Sequence, residues 1–173
     1  MGSIAGSKKL KRQMAPLFWG IHRKNKRFVI TVMPGSHPKN SSIPTAVLLR
    51  DVLNVVTTLR EAKSVIYNGK VIVDGIIRKS LHHSIGLMDV VELQGVSDVY
   101  RLVPTHGHTL QPIKIEADEK SKKLVKVTSK TTIKGKKTQL GFHDGRTIIA
   151  ENDVNVGDSC LIQIPEQIGR AHV

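Results

Sequence analysis

Apolar residues recur at two different spacings along this chain, and the change of period divides it. Between residues 43 and 69 they fall three and four apart. Leu48, Val52, Val55 and Val56 would line one face of a helix that opens at Pro44, whose fixed φ suits a first turn. Arg50, Asp51 and Asn54 would fall on its other side. Leu59, Ala62, Val65 and Ile66 would line the buried face of a second helix. Its start is marked by Thr58-Leu59-Arg60-Glu61, where the hydroxyl caps the third residue's amide while the carboxylate reaches back. Asn68-Gly69 marks its end, and Arg60, Lys63 and Tyr67 are left along an outer stripe.

From Val71 the period shortens to that of strands. Val71-Ile72-Val73-Asp74-Gly75-Ile76-Ile77 predicts a hairpin, because Asp-Gly accepts the positive φ of a type I′ turn. A further strand is expected at residues 90–93, so the unit reads as two helices on a small antiparallel sheet. Beyond Asp98, short β-rich segments recur at residues 100–103, 124–128, 138–142, 147–150 and 160–164. Turns are marked by Gly107, Lys134-Gly135-Lys136-Lys137 and His143-Asp144-Gly145-Arg146, and only residues 115–123 offer a further helix. The fold class is α+β.

Charge changes the picture of the first segment. The chain carries 27 Lys and Arg against 14 Asp and Glu, a net +13, which suits a polyanionic partner. Residues 1–50 hold ten basic side chains and no carboxylate. Lys8, Lys9, Lys11, Arg12, Arg23, Lys24, Lys26, Arg27 and Lys39 are interleaved with Trp19, His22, Phe28 and His37. Residues 1–42 therefore read as a basic arm with a short strand at 27–32, broken by Pro34-Gly35-Ser36-His37-Pro38. A solvated tail is the plain alternative, but a tail that needed only charge would not set Trp19 and Phe28 among the cations. The arm is expected to be mobile without a polyanion, since like charges repel. The lysines at 120, 122, 123, 126, 130, 134, 136 and 137 would form a rim, or simply the wet face of strands.

Several function classes lack their residues. The single Cys160 cannot close an internal disulfide, and no apolar run approaches the roughly 18 residues of a membrane span. The start does not resemble a secretory signal. His106-Gly107-His108 and His82-His83 each offer two imidazoles, but no cysteine or carboxylate stands near to complete a metal shell. No nucleophile elbow, phosphate-binding loop or dinucleotide fingerprint is present. Asp144 and Asp158 sit beside Gly, where turn chemistry alone would place them. What remains suits RNA: cations for phosphates, with Trp19, Phe28, His22 or His37 to stack on unpaired bases.

The sequence resembles the archaeal and eukaryotic small-subunit ribosomal protein S4e family. The resemblance runs from about Lys9 to Pro165. Its markers are Leu10-Lys11-Arg12, Ala15-Pro16 and Trp19, Arg23-Lys24, Pro34-Gly35 with His37, Ser42-Ile43-Pro44, Leu49-Arg50-Asp51-Val52-Leu53, Arg60-Glu61-Ala62, Val73-Asp74-Gly75, Gly86-Leu87-Met88-Asp89-Val90, Tyr100-Arg101 and His143-Asp144-Gly145-Arg146. The resemblance implies a basic N-terminal region, an alpha-L (S4-like) RNA-binding domain on residues 43–105 and a β-rich central domain on 106–167. It puts Arg50, Thr58, Arg60, Lys63, Lys70, Arg78 and Lys79 in contention for RNA, with Arg60 and Lys63 first. Lys8, Lys9, Lys11, Arg12, Trp19, His22, Arg23, Lys24, Lys26, Arg27 and His37 of the arm, and Arg146 of the central domain, complete the expected contacts.

The implied role is a structural constituent of the small ribosomal subunit, at work in the cytoplasm. Its partners would be small-subunit ribosomal RNA and neighbouring ribosomal proteins, with no cofactor, small-molecule substrate or membrane. Two rivals are an accessory module of an RNA-modifying enzyme, which needs a separate catalytic domain, and a free RNA chaperone, expected as a smaller alpha-L module. The family continues into a KOW-type β barrel near whose expected start this chain stops. Residues 168–173, Ile-Gly-Arg-Ala-His-Val, match the translation of a common sequencing adapter and are expected to lie outside the fold.

Overall fold

A computed structural model describes residues 9–21, 27–105, 109–135, 137–150 and 154–164. The basic opening is tied down. Strand β1 (Lys9–Lys11) pairs antiparallel with β2 (Phe28–Ile30), with Leu10 opposite Val29. Two short 3₁₀ turns, Arg12–Met14 and Leu17–Trp19, lead out of β1, and Gly20 closes the second at φ 65°. Ala15, Trp19, Ile21, Val29 and Val32 are buried in the main hydrophobic core. In its described part the arm, expected to be mobile without a polyanion, is packed on this core, and burial of these apolar groups opposes the repulsion between its charges.

Strand β3 (Ile43–Pro44), which pairs with β6 (Ser84–Ile85), feeds directly into α1 (Thr45–Val47). The helix then widens into a π turn at Leu48–Val52, where the Leu53 amide reaches back to the Leu48 carbonyl at 2.8 Å. Asn54 adopts φ 52°, which no helix tolerates, so Val55 lies beyond the helix and is exposed. The predicted first helix is accordingly shorter, and its buried residues are Thr45, Ala46, Val47, Leu48 and Leu49. Helix α2 (Leu59–Tyr67) begins and ends where its capping signals place it. It buries Ala62 and Ile66, whereas Leu59, expected on that face, stands in the first turn and stays exposed.

The helices pack on a five-stranded sheet in the order β5-β4-β7-β8-β9, formed by β4 (Val71–Val73), β5 (Ile76–Ile77), β7 (Val90–Leu93), β8 (Val99–Thr105) and β9 (Thr109–Ile115). Asp74 and Gly75 turn the first hairpin with φ 49° and 75°. This sheet runs on to Ile115, so the β8–β9 hairpin straddles the expected domain boundary near residue 105. No helix forms at residues 115–123. They comprise the end of β9, a 3₁₀ turn at Ala117–Glu119 and the start of β10 (Lys122–Ile133). That stretch has helix-forming charges but no apolar stripe to bury.

The second sheet has the order β12-β11-β10-β13, adding β11 (Lys137–Phe142), β12 (Thr147–Ala150) and β13 (Ser159–Gln163). A register shift between Val127 and Ser129 in β10 marks where its pairing irregularity lies. Val125, Val127, Leu140 and Phe142 form a separate small core beneath it. Residues 165–173, which include the expected adapter-derived 168–173, lie outside the described residues, as do His106, Gly107, His108 and Lys136.

Candidate nucleic-acid interface

Helix α2 is held at its N-terminus by a reciprocal cap. The Thr58 hydroxyl accepts from the Glu61 amide at 3.2 Å, and the Glu61 carboxylate accepts from the Thr57 and Thr58 amides at 3.0 and 3.4 Å. These bonds, led by that from the Thr57 backbone, lower the Glu61 pKa. Thr58, expected among the RNA contacts, therefore sets where the helix starts.

Beyond the cap, Arg60, Lys63 and Tyr67 stand exposed on one side, as their spacing predicts. The Lys63 ammonium lies 5.5 Å from the centroid of the Tyr67 ring, a cation–π distance. At the other end, Gly69 with φ 74° is closely approached by Ile77 and by Lys79 Cε, either of which a Cβ there would meet at 3.3 Å. Lys79 is thus brought beside the helix C-terminus, next to exposed Lys70, where the macrodipole favours positive charge. Arg78 is half-buried, and its Nε is buried with no hydrogen-bond partner.

Other expected contacts are engaged inside the protein. Arg50 grips Asp51 through bonds of 3.0 and 2.6 Å, with side chains only 12% and 7% exposed, so this charge is neutralised within the fold. Trp19 is 0% exposed and donates from Nε1 to the Ser42 carbonyl at 2.8 Å, which leaves no ring face for a base. His37 is buried and its Nε2 meets Asp89 Oδ1 at 3.1 Å, so it too is withdrawn from stacking. Arg12 Nη2 donates to the Ile21 carbonyl. Lys11 and Arg27 remain exposed, and Arg27 lies 5.5 Å from the Phe28 ring. Lys8, His22, Arg23, Lys24, Lys26 and the Lys9 side chain fall outside the described residues.

Arg146, expected among the RNA contacts, is half-buried and belongs to an ionic cluster. Lys123 Nζ donates to Asp74 Oδ2 at 2.6 Å and to Asp89 Oδ1 at 2.5 Å, and lies 3.1 Å from Asp144 Oδ2. Arg146 Nη2 donates to the same Asp74 oxygen at 2.7 Å. The remaining carboxylate oxygens accept from backbone: Gly86 N to Asp89 Oδ2 at 2.8 Å, Val90 N to Asp74 Oδ1 at 2.9 Å and Arg146 N to Asp144 Oδ1 at 3.2 Å. Burial pushes the Asp74 carboxyl up, with the Asp89 charge adding to it. Burial works the same way on Asp89, but the His37 bond and the Lys123 charge overcome it and bring its pKa to about 2. Burial opposes the Lys123 charge as well, and Asp89 and Asp74 reverse that and raise its pKa.

The signal for Lys123 is present in the sequence as strand parity. It shares the inward face of β10 with Val125 and Val127, while Leu124 points out. Among the described residues no group of three ligand-type side chains could hold a metal ion, and His106 and His108 lie outside them. His82 Nδ1 is instead hydrogen-bonded with the Thr31 carbonyl at 2.8 Å. No described helix is long and apolar enough to cross a membrane.

Comparison with known proteins identifies the family. The profile described as Ribosomal family S4e matches residues 96–168, and that described as the RS4NT (NUC023) domain matches residues 5–40. The small ribosomal subunit protein eS4 of Methanothermobacter thermautotrophicus is 40% identical over 167 residues, covering 96% of this chain and 69% of the relative. The protein of the same name from Methanocaldococcus jannaschii is 42% identical over 175 residues, covering 95% and 70%. The crystal structure of the 30S ribosomal protein S4e from Thermoplasma acidophilum superposes with a TM-score of 0.63 at 36% identity, covering 74% of this chain and 66% of that one. The chain thus spans about two-thirds of the length of these relatives.

Proposed function

This chain belongs to the ribosomal S4e family, and on that footing we propose that it binds and orders small-subunit ribosomal RNA as a structural constituent of the small subunit. The family is a ribosomal structural one and not an enzyme family. The work is positional, done by phosphate contacts and by a surface of fixed shape, beside neighbouring ribosomal proteins on the cytoplasmic ribosome.

The observation that carries this reading is the outer face of α2. Arg60, Lys63, Lys70 and Lys79 surround a helix anchored by its Thr58 cap, and none of the four is tied up in an ion pair with a described carboxylate. Cations presented by or beside a capped helix and not neutralised by an internal carboxylate are available to phosphates. Lys11 and Arg27 stand exposed on the N-terminal segment, whose sequence also carries Lys8, Lys9, Arg23, Lys24 and Lys26. Arg78 contributes from the edge of the patch, whereas Arg50, Trp19, His37 and Arg146 support the scaffold that presents it.

Binding to a small-subunit ribosomal RNA transcript, measured across a salt series, tests this. Affinity should fall with a log–log slope of about −0.7 to −0.9 per phosphate contacted. Replacing Arg60 and Lys63 together by Ala should weaken binding and flatten that slope with the melting temperature nearly unchanged. Salt-insensitive binding, or a double variant that binds as tightly as the parent, would contradict the reading.

A further inference from the structure

The chain has one Trp, two Tyr and three Phe, and the fold absorbs most of them. Trp19 and Phe142 are buried, Phe18 and Tyr100 are half-buried, and only Phe28 and Tyr67 are exposed, at 46% and 51%. Both exposed rings carry a cation 5.5 Å from their centroid, Arg27 on Phe28 and Lys63 on Tyr67.

We propose that Tyr67 is a stacking platform for one unpaired nucleobase of the bound RNA. This rests on the RNA-binding reading above and gives that surface a sequence-tolerant contact besides its phosphate contacts. Three features support it. Tyr67 stands in the last turn of α2, on the face that carries Arg60 and Lys63, so the ring is fixed to a capped helix. Lys63, four residues earlier, sits over the ring, and the residue is still 51% exposed, which leaves ring surface for a base. Cations lie on both sides of it along the chain, with Arg60 and Lys63 before and Lys70 and Lys79 after. Exposed Ile77 packs against Gly69 just past the ring and extends the apolar surface.

A strand whose backbone follows these cations would place a base over the ring. A paired duplex offers no free base face, so the partner is a loop, bulge or single-stranded segment. The Lys63 ammonium improves the platform further, because a cation on one face draws electron density from the ring and leaves its other face a better partner for a base.

The test uses the purified chain with a small-subunit ribosomal RNA transcript and, separately, a fully paired RNA duplex. Tyr67→Phe should bind the transcript as the parent does, and Tyr67→Leu should lose about 5- to 100-fold in affinity. The salt slope of Tyr67→Leu should be unchanged, because stacking releases no counterions. Its affinity for the duplex should also be unchanged. Tyr67→Trp should show quenched emission on binding the transcript, against a constant background from Trp19, which is 0% exposed. Tyr67→Leu binding the transcript at parental affinity would overturn the proposal while leaving the phosphate contacts standing. So would a loss accompanied by a flatter salt slope, which would make Tyr67 a positioning residue for Lys63. A parent chain that binds neither RNA would remove the RNA reading and this one with it.

Discussion

Lys123 on the central sheet and Asp89 in the helix-bearing domain are joined at 2.5 Å, with the lysine side chain 0% exposed. The pair fastens two separate hydrophobic cores to each other, and the same ammonium also holds Asp74 and Asp144. A lysine at a core position is stable there only because three carboxylates surround it.

Removing that charge should therefore cost far more than removing a surface lysine. Lys123→Met keeps most of the volume but leaves Asp74, Asp89 and Asp144 facing one another, and should destabilise the fold by about 3–5 kcal/mol. Urea unfolding checks this, with Lys122→Met, at an exposed position, expected within about 0.5 kcal/mol of the parent.

Gly86 makes a second prediction about the same cluster. A Cβ there would fall 2.5 Å from the His37 ring, which is held by Asp89 and cannot swing freely aside. Gly86→Ala should destabilise by about 1–3 kcal/mol, and the His37 imidazole resonances should shift in NMR spectra.

Stability should fall with acid in two stages. Burial and the nearby Arg78 charge lower the His83 pKa from 6.5 to about 4, so the fold favours the neutral imidazole. That contribution is complete above pH 6.5 and is lost as the pH falls toward 4. Asp89, lowered from 3.8 to about 2, behaves alike at lower pH: its contribution is present above 3.8 and lost toward 2. Asp74 has a raised pKa and acts in the opposite direction as the pH falls from that raised value to 3.8, which offsets part of the loss. Unfolding free energies at pH 7 and pH 5 should differ less in His83→Gln than in the parent.

Thr58→Ala should cost about 0.5–2 kcal/mol through loss of the cap, and Thr58→Asp should recover most of it. Melting curves check the stability, and RNA affinity should follow helix content in both variants.

Helix α2 was legible to within a residue because its limits are local: a capping box at Thr58–Glu61 and a left-handed Gly69. Helix α1 was not, since helical spacing carried the reading past Asn54, whose positive φ ends it. The ionic cluster escaped for a different reason. Asp74 and Asp144 each precede a glycine and fully satisfy a turn reading, and nothing local links them to a lysine 49 or 21 positions away. Lys123 reads as one of the rim lysines although it shares strand parity with Val125 and Val127, because an inward lysine is recognisable only once its carboxylates are in place. Trp19 and His37, set among cations, read as surface stackers. Composition along the chain does not distinguish an aromatic that faces RNA from one that pins a basic segment to its own core.

The central claim is that the basic face of α2 and the N-terminal segment lie on small-subunit ribosomal RNA. Ultraviolet crosslinking of assembled small subunits, followed by mass spectrometry of the RNA-linked peptides, addresses it most directly. Crosslinks should fall on peptides spanning residues 60–79 and 8–28, with none at Trp19, His37 or Lys123. Crosslinks confined to the outer face of the β10–β13 sheet, or none at all, would contradict the account.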